Sequence, residues 1–600
     1  MKRYKLTGAM CLLAIGLLLG SCGQGESTPT QTTTSVPTTK PVTTTVAPST
    51  TPAHQGPEYG GQLRLMQSTD LNGFDHAVYP QGFLGNVYLV NDTLVVGDWS
   101  RGAAGTGEID WSLSSQKRID YTVGELAESF DLPEPGTIVF HIRQGVHYSL
   151  DPNREASRLV NGREMTADDV AFSLTRHIQS PLSYLRITQQ SAAQSTTATA
   201  TDKWTVTLKT SLYDLDAVWL ILGEREIWPP ELIQKYGSIT DWRNQVGTGA
   251  FTMTDFVPGS SATFVRNPTY WKTDPVGAGK GSQLPYIDGV SMLIISDQST
   301  QLAALRTGKI DMLSQLDHDN YVELTQSSPQ LLSHKYITGP MMISMRQDKA
   351  DLPFSDKKVR QALFMATDYD TLISGFYGGD AEKLAWPLAD IKGYDKAYMP
   401  LDEMPQEVKD LFTYNPDRAK QLLADAGYPN GFKTKILAAS VPTSYADFLA
   451  IIESMWAKVG VDMSIELKET GAYFNITMSR QYDDLLYGFY VQPGPYAQLL
   501  PFRGNNTFNR SWVKDDKVES TYQEIVKYNL VDQAKVDELH RNLMPYVLGQ
   551  AWYIPAPGAY MNTFWQPWLM NYHGEVSIGY KPTEWAKYIW IDQSLKAQGK

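Results

Sequence analysis

Lys435-Ile436-Leu437-Ala438-Ala439, followed by residues 445–458 and then by residues 461–467, is the stretch on which the fold turns. The first five residues are an apolar run of strand length. Residues 445–458 carry apolar side chains at helical spacing and stop at Gly460, and residues 461–467 alternate apolar with polar as a half-buried strand does. Strand, helix and strand at this spacing predict a βαβ unit with a right-handed crossover and parallel strands. At least part of the body is therefore α/β.

Working outward, Asn415-Pro416-Asp417 is a helix start, with a side-chain cap and proline at the first helical position. Gly427 stands where that helix should end, and Ala419, Leu422, Leu423 and Ala426 make its buried stripe. Further upstream, Asp356 caps a helix with Val359, Leu363 and Ala366 on one face, and Asp368 starts the next. In the first half, Thr166 with Asp169 reads as a capping box for a helix running to Gln179 and stopped by Ser180-Pro181. Strands are predicted near residues 60–65, 137–143, 203–209 and 262–266, with a turn at Val257-Pro258-Gly259-Ser260.

The N-terminus has a different character. Lys2, Arg3 and Lys5 precede an apolar run from Ala9 to Leu19, the layout of an export signal, and the run is short for a bilayer span. Leu19-Gly20-Ser21-Cys22 resembles a bacterial lipoprotein signal, which implies residues 1–21 as a cleaved signal peptide and Cys22 as the lipidated first residue. Residues 22–57 are dominated by Thr, Pro, Ser, Val and Ala, too polar and proline-rich to fold, and read as a disordered stalk. The only two cysteines, Cys11 and Cys22, both fall in the signal, so the body has neither a disulfide nor a thiol nucleophile. A formal charge of −13 argues against nucleic-acid binding, which needs a basic face. The expected location is the extracytoplasmic face of the cell membrane, held by the lipid.

Several separated stretches then resemble one family. They include Phe140-His141-Ile142-Arg143-Gln144-Gly145-Val146, Thr166-Ala167-Asp168-Asp169-Val170, Gly247-Thr248-Gly249-Ala250-Phe251, and Arg266-Asn267-Pro268-Thr269-Tyr270-Trp271. Val359-Arg360-Gln361-Ala362-Leu363 and Ala419-Lys420-Gln421-Leu422-Leu423 through Gly427-Tyr428 follow in the same order. Together they look like the solute-binding proteins of peptide-type ABC transporters, the oligopeptide- and dipeptide-binding group, solute-binding family 5. The resemblance implies an α/β, two-lobed, periplasmic-binding-protein-like (class II) fold with an additional subdomain in one lobe. It places the main lobe at 58–98, 203–340 and 556–600, the subdomain at 99–202 and the second lobe at 341–555, with crossings near 337–345 and 553–557. It implies capture of a solute, a peptide first, between closing lobes, and delivery to ABC permease and ATPase subunits by a monomer without a cofactor. An oligosaccharide or other solute, or a stalked sensor without transport, are the alternatives.

By the same resemblance, residues 482–493 line the cleft, with Phe489 and Tyr490 as an aromatic wall. Gln492 stands where peptide binders carry the aspartate that pairs with the α-ammonium group. Glutamine can hydrogen-bond but cannot neutralise a charge. Arg360 and Asn267 are expected to hold helices and turns. The acid pairs Asp168-Asp169, Asp483-Asp484 and Asp515-Asp516 do not read as an acid–base site: the first starts a helix, and the third lies in a Lys-flanked run read as solvated surface. No Gly-x-Ser-x-Gly elbow is present near a strand-to-helix turn, so no enzyme is expected. His141, His147 and His318 lack metal-loop spacing, with His141 placed on a strand and His318 on a surface loop, so no metal is expected.

Overall fold

The computed structural model describes residues 56–599 apart from 72, 80–83, 114–117, 489–496, 505–506 and 580. The chain divides into two units at His54 and Gln55, and the described residues belong to the second.

The βαβ unit forms as its residues dictate. Phe432–Ala439 pairs in parallel with Val461–Lys468 from Phe432↔Val461 to Ala439↔Lys468. Between them the helix Ser444–Ala457 buries Phe448, Leu449, Ile452, Met455 and Trp456, one stripe at helical spacing. The preceding helix, Pro416–Asp425, starts where Asn415 Oδ1 accepts the Arg418 N–H at 3.0 Å, and Gly427 leaves it with φ of +93°. These strands belong to a five-stranded sheet ordered Val461–Lys468, Phe432–Ala439, Leu485–Gly488, Met342–Met345, Tyr553–Pro555. Met342–Met345 runs antiparallel to both its neighbours, so the sheet is mixed. Around it lies one hydrophobic core that includes Leu363, Leu423, Trp456 and Tyr487.

A second core shares no residue with the first and includes Leu63, Phe140, Leu174, Trp219, Phe264 and Ile589. Two separate cores in one α/β chain make the fold two-lobed. This other core covers a sheet ordered Gln62–Gln67, Gly289–Ile294, Ser261–Arg266, Phe251–Val257, whose first pair is parallel. It continues without a break into the antiparallel sheet Ala127–Asp131, Thr137–Ile142, Thr205–Lys209, Thr197–Asp202. The helix beside that sheet, Ala167–Gln179, begins with Asp169 Oδ2 accepting the Thr166 N–H at 2.8 Å. A third sheet places Gly558–Trp565 between Met312–Leu316 and Leu332–Ile337. It is tied to the first-lobe sheet by buried Asp311, which accepts the Arg64 backbone N–H at 2.7 Å and the Trp568 indole N–H at 3.0 Å. Ala381–Glu382 adds a short strand to it, so this piece of the chain leaves the second lobe's sheet and returns.

Six ionic side chains, five buried and one, Lys272, partly exposed, cluster in the first lobe. Glu125 lies 2.9 Å from Lys272, 2.7 Å from Lys581 and 3.0 Å from Lys587. Glu584 lies 2.7 Å from Lys581 and 2.5 Å from Lys587. Asp92 accepts from Lys587 at 3.1 Å, the Tyr270 hydroxyl at 2.9 Å and the Trp271 indole at 2.8 Å. Three carboxylates thus balance three ammonium groups. Tyr270 and Trp271 end the Arg266–Trp271 motif, whose Asn267 also donates to the Gly249 carbonyl at 3.0 Å. Arg360 is likewise structural: it is buried and donates to the carbonyls of Phe354 and Gln550 at 2.9 and 3.2 Å.

A buried ion pair joins the lobes. Arg118, from the first, donates to both oxygens of Asp537, on the second-lobe helix Gln533–Gly549, at 3.1 and 2.9 Å. His540, on the same helix, is fully buried. Burial, with Arg118 nearby, pushes its pKa down to about 3, and burial does the same to His177 in the first lobe, also to about 3. An unfolded histidine titrates near 6.5, so between about pH 3 and 6.5 the unfolded chain binds protons that the native chain refuses. Stability is complete above that window and falls as pH drops through it. From pH 7 to 5 the loss is about 2 kcal/mol for each of the two residues. Denaturant unfolding of His540→Leu at both pH values should show a loss smaller by about 2 kcal/mol than in the parent, and an unchanged loss would remove His540 from this account.

Candidate functional site

The chain passes between the lobes at residues 338–341 and again at 556–557, and the two crossings lie side by side. The Thr338 N–H donates to the Ala559 carbonyl at 2.9 Å, and the Ala556 N–H to the Met341 carbonyl at 2.8 Å. A cavity of about 450 Å³ opens at this hinge. Its first-lobe wall is Leu113, Gln315, Tyr336, Met561 and Val576, and the crossings contribute Thr338, Met341 and Pro557. The second lobe supplies Phe376, Tyr377, Pro442, Tyr445 and Tyr487.

The βαβ unit positions much of that second-lobe wall. Pro442 and Tyr445 sit at the entry to the helix Ser444–Ala457, above the C-terminal end of the parallel strand, where ligand crevices form in α/β sheets. Tyr487 is on Leu485–Gly488, opposite Ile343, and its backbone carbonyl accepts the Tyr473 hydroxyl at 2.9 Å. Its ring stacks on Phe448 with centroids 5.2 Å apart and meets Tyr445 edge-on at 5.4 Å. Phe376 and Tyr377 pack edge-to-face at 4.9 Å. Burial pushes the Tyr377 and Tyr487 hydroxyls above their ordinary range, so both stay neutral at physiological pH.

A second hollow, of about 520 Å³, is confined to the first lobe and shares Gln315 and Val576 with the first. Its lining is rich in amides and hydroxyls, including Gln67, Ser68, Asn86, Gln298 and Thr583. Among the described residues the only charged one on either wall is Asp70. Both of its oxygens are taken, by the Leu71 N–H at 2.9 Å and the Gly259 N–H at 2.8 Å. The tyrosine-walled cavity therefore offers aromatic faces, thioethers and neutral hydrogen-bonding groups, and the second hollow adds one carboxylate, Asp70.

Phe489, Tyr490, Gln492 and Cys22 lie outside the described residues. Tyr487, from the stretch 482–493, is on the cleft wall. Asp483 pairs with Lys435, and Asp484 accepts the Lys435 N–H at 3.2 Å, so this acid pair holds strands. Asp515 is half-exposed and Asp516 exposed, in keeping with a solvated run, and Asp515 also caps the helix Asp516–Tyr528 by accepting the Val518 N–H at 2.9 Å and accepts the Tyr546 hydroxyl at 2.7 Å. One expectation needs correction. His318 is not on a loop but opens the helix His318–Ser327, with Nδ1 2.8 Å from Asp380. His141 is on a strand, 2.8 Å from Asp131, and the His147 ring meets the Gly162 carbonyl. Among the described residues no group of three or more His, Cys, Asp or Glu is placed to hold a metal.

Sequence reading missed Gln315, Tyr336, Phe376, Tyr377 and Tyr445 as wall residues. Phe376-Tyr377-Gly378-Gly379, paired aromatics before paired glycines, carried a usable signal of an exposed loop. Gln315 carried none.

A cleft lined from two lobes at a double crossing defines a solute-binding protein. The model of the bacterial extracellular solute-binding proteins, family 5 (middle), matches residues 122–510, and the chain belongs to that family. It is an extracytoplasmic solute-binding protein of the peptide-type ABC-transporter group and not an enzyme. Heme-binding protein A of Haemophilus influenzae is 25% identical over 460 residues, covering 72% of this chain and 78% of that one. A dipeptide-binding protein of Pseudomonas aeruginosa is 24% identical over 473 residues, covering 75% and 83%. In structure the chain is similar to the periplasmic binding protein DppA of Helicobacter pylori in complex with the peptide STSA (TM-score 0.65, 22% identity, 89% of this chain and 98% of that one). It is also similar to HbpA2 of Haemophilus parasuis (TM-score 0.68, 20% identity, 89% and 100%). No helix among the described residues is long and apolar enough to cross a membrane.

Proposed function

We propose that this protein is a lipid-anchored receptor that captures a solute, a peptide first, between two closing lobes and delivers it to an ABC permease. The observation that carries the reading is the cleft at the double crossing, walled from both sides of the hinge. A solute that touches both walls only when they meet stabilises the closed form by its differential affinity for it. No bond is made or broken, and the ATP for import is consumed by partner subunits. The main lobe takes 58–98, 203–340 and 556–600, the additional subdomain 99–202, and the second lobe 341–555. Phe489, Tyr490 and Gln492 extend the wall that begins at Tyr487. Cys22 carries the lipid, residues 22–57 form the stalk, and the receptor works as a monomer.

Peptides come first because a dipeptide-binding relative and a peptide-bound structural neighbour share the architecture. The aromatic, uncharged cleft favours an oligosaccharide as the second reading, since sugar faces stack on rings.

Thermal unfolding of the full-length chain against mixed short peptides and mixed oligosaccharides tests the choice. A ligand at ~100 times its Kd adds about 2.7 kcal/mol, a shift of a few degrees. A shift with peptides is expected; one with sugars alone would move the assignment to the second reading. The anchor is checked separately: Cys22→Ser should move the protein from the membrane to the soluble fraction, and continued sedimentation with membranes would contradict lipidation at Cys22.

A further inference from the structure

Gln315 has a backbone conformation that its residue type rarely adopts. The strand Met312–Leu316 pairs Leu313 with Phe564 and Leu316 with Asn562, so three steps on one strand answer two on the other. The extra residue makes a β-bulge, and within it Gln315 has φ of +61°. Left-handed backbone in a non-glycine residue is uncommon and costs energy, and bulges of this kind re-aim a side chain beside a functional site. Gln315 is exposed and lines both hollows, at their junction. Its amide makes no hydrogen bond among the described residues, so its donor and acceptor are available to a solute.

The surroundings define the chemistry such an amide can serve. A solute's ammonium group taken into this cleft would need a carboxylate, because burying an unpaired charge is costly. The tyrosine-walled cavity has no charged side chain among its described lining residues, and Asp70, half-exposed in the neighbouring hollow, has both oxygens bonded to backbone N–H groups. Of the residues outside the described set between 56 and 599, none is acidic: they are Asn72, residues 80–83, 114–117, 489–496, 505–506 and Tyr580, and only Lys117 among them is charged.

We propose that Gln315, turned into the cleft by the bulge, is the polar anchor for an uncharged solute that stacks on the tyrosine wall and offers amide or hydroxyl groups to the Gln315 amide. This rests on the reading of the cleft as the solute site. For peptides it means a blocked or otherwise uncharged N-terminus; the same neutral chemistry is also offered by a sugar.

The test is calorimetric binding to the full-length chain and to its Gln315→Ala, Gln315→Asn and Gln315→Glu variants. The probes are N-acetyl-Ala-Phe-Ala-amide, free Ala-Phe-Ala and maltotriose, and the melting temperature of each variant checks folding. The parent should bind the blocked peptide at least about tenfold more tightly than the free one, in keeping with the cost of an unpaired buried charge. Gln315→Ala should lose at least about tenfold for the blocked peptide, as when a buried hydrogen-bonding partner is removed. Gln315→Asn, which keeps the amide, should retain most of the binding. Gln315→Glu should reverse the preference by supplying the missing carboxylate. Tighter binding of the free peptide by the parent, unaltered by Gln315→Glu, would overturn the inference while leaving a peptide receptor. Binding of maltotriose alone would end the peptide reading, and Gln315→Ala would then decide: a similar loss upholds the anchor, and none overturns it. Binding of none of the three probes overturns the inference.

Discussion

A cluster of six charges in the first lobe, five of them buried, is the constraint on which the rest of the structure depends. Asp92, Glu125 and Lys272 come from the first half of the chain, and Lys581, Glu584 and Lys587 from its last twenty residues. All but the partly exposed Lys272 are buried, so they depend on one another for the charge that water would otherwise supply, and removing a buried one would leave its partners uncompensated at a cost of about 3–5 kcal/mol. The C-terminal segment is therefore an integral part of the first lobe. A chain that builds the second lobe from its intervening residues must cross out and then cross back to satisfy this cluster. The cleft lies where those crossings run together.

The groups that hold the fold are distinct from those that face the cleft. The buried charges of the first lobe are paired with one another, and Asp70, Asp484 and Asp515 hold backbone N–H groups. The tyrosine-walled cavity is lined by neutral groups, tyrosines and methionines among them, and the second hollow by amides and hydroxyls with Asp70 as its one charged residue among the described residues. In the proposed reading, recognition rests on surface complementarity and neutral hydrogen bonds. The Arg118–Asp537 pair meets across the lobes, and its bidentate geometry favours one relative placement of them.

Much of the architecture was legible because it is written in local chemistry. The Thr166–Asp169 box, the Asn415-Pro416 start and the Asp356 and Asp368 caps depend on residues within a turn of one another, and the 432–468 βαβ unit on the apolar periodicity of three consecutive segments. The capping role of Asp515 was not visible because its cap resembles an ordinary charged run until the helix behind it is known. His318 was misread as a loop residue, since it opens its helix one residue after the Asp317 cap. The cleft was less legible. Tyr377, Tyr445 and Tyr487 are distant in sequence and meet through the packing of the second lobe, Tyr336 lines the same cavity only because of the double crossing, and nothing in the letters around Gln315 announces a bulge or a left-handed residue.

The most direct measurement of the central claim is backbone hydrogen exchange of the full-length chain, with and without a solute that raises its melting temperature. The account predicts that protection rises together in peptides covering 336–341 and 556–561 at the crossings, 376–377, 441–445 and 485–488 on the second lobe, and 312–316 on the first. Protection confined to one lobe, or appearing away from the crossings, would contradict capture of the solute between the two.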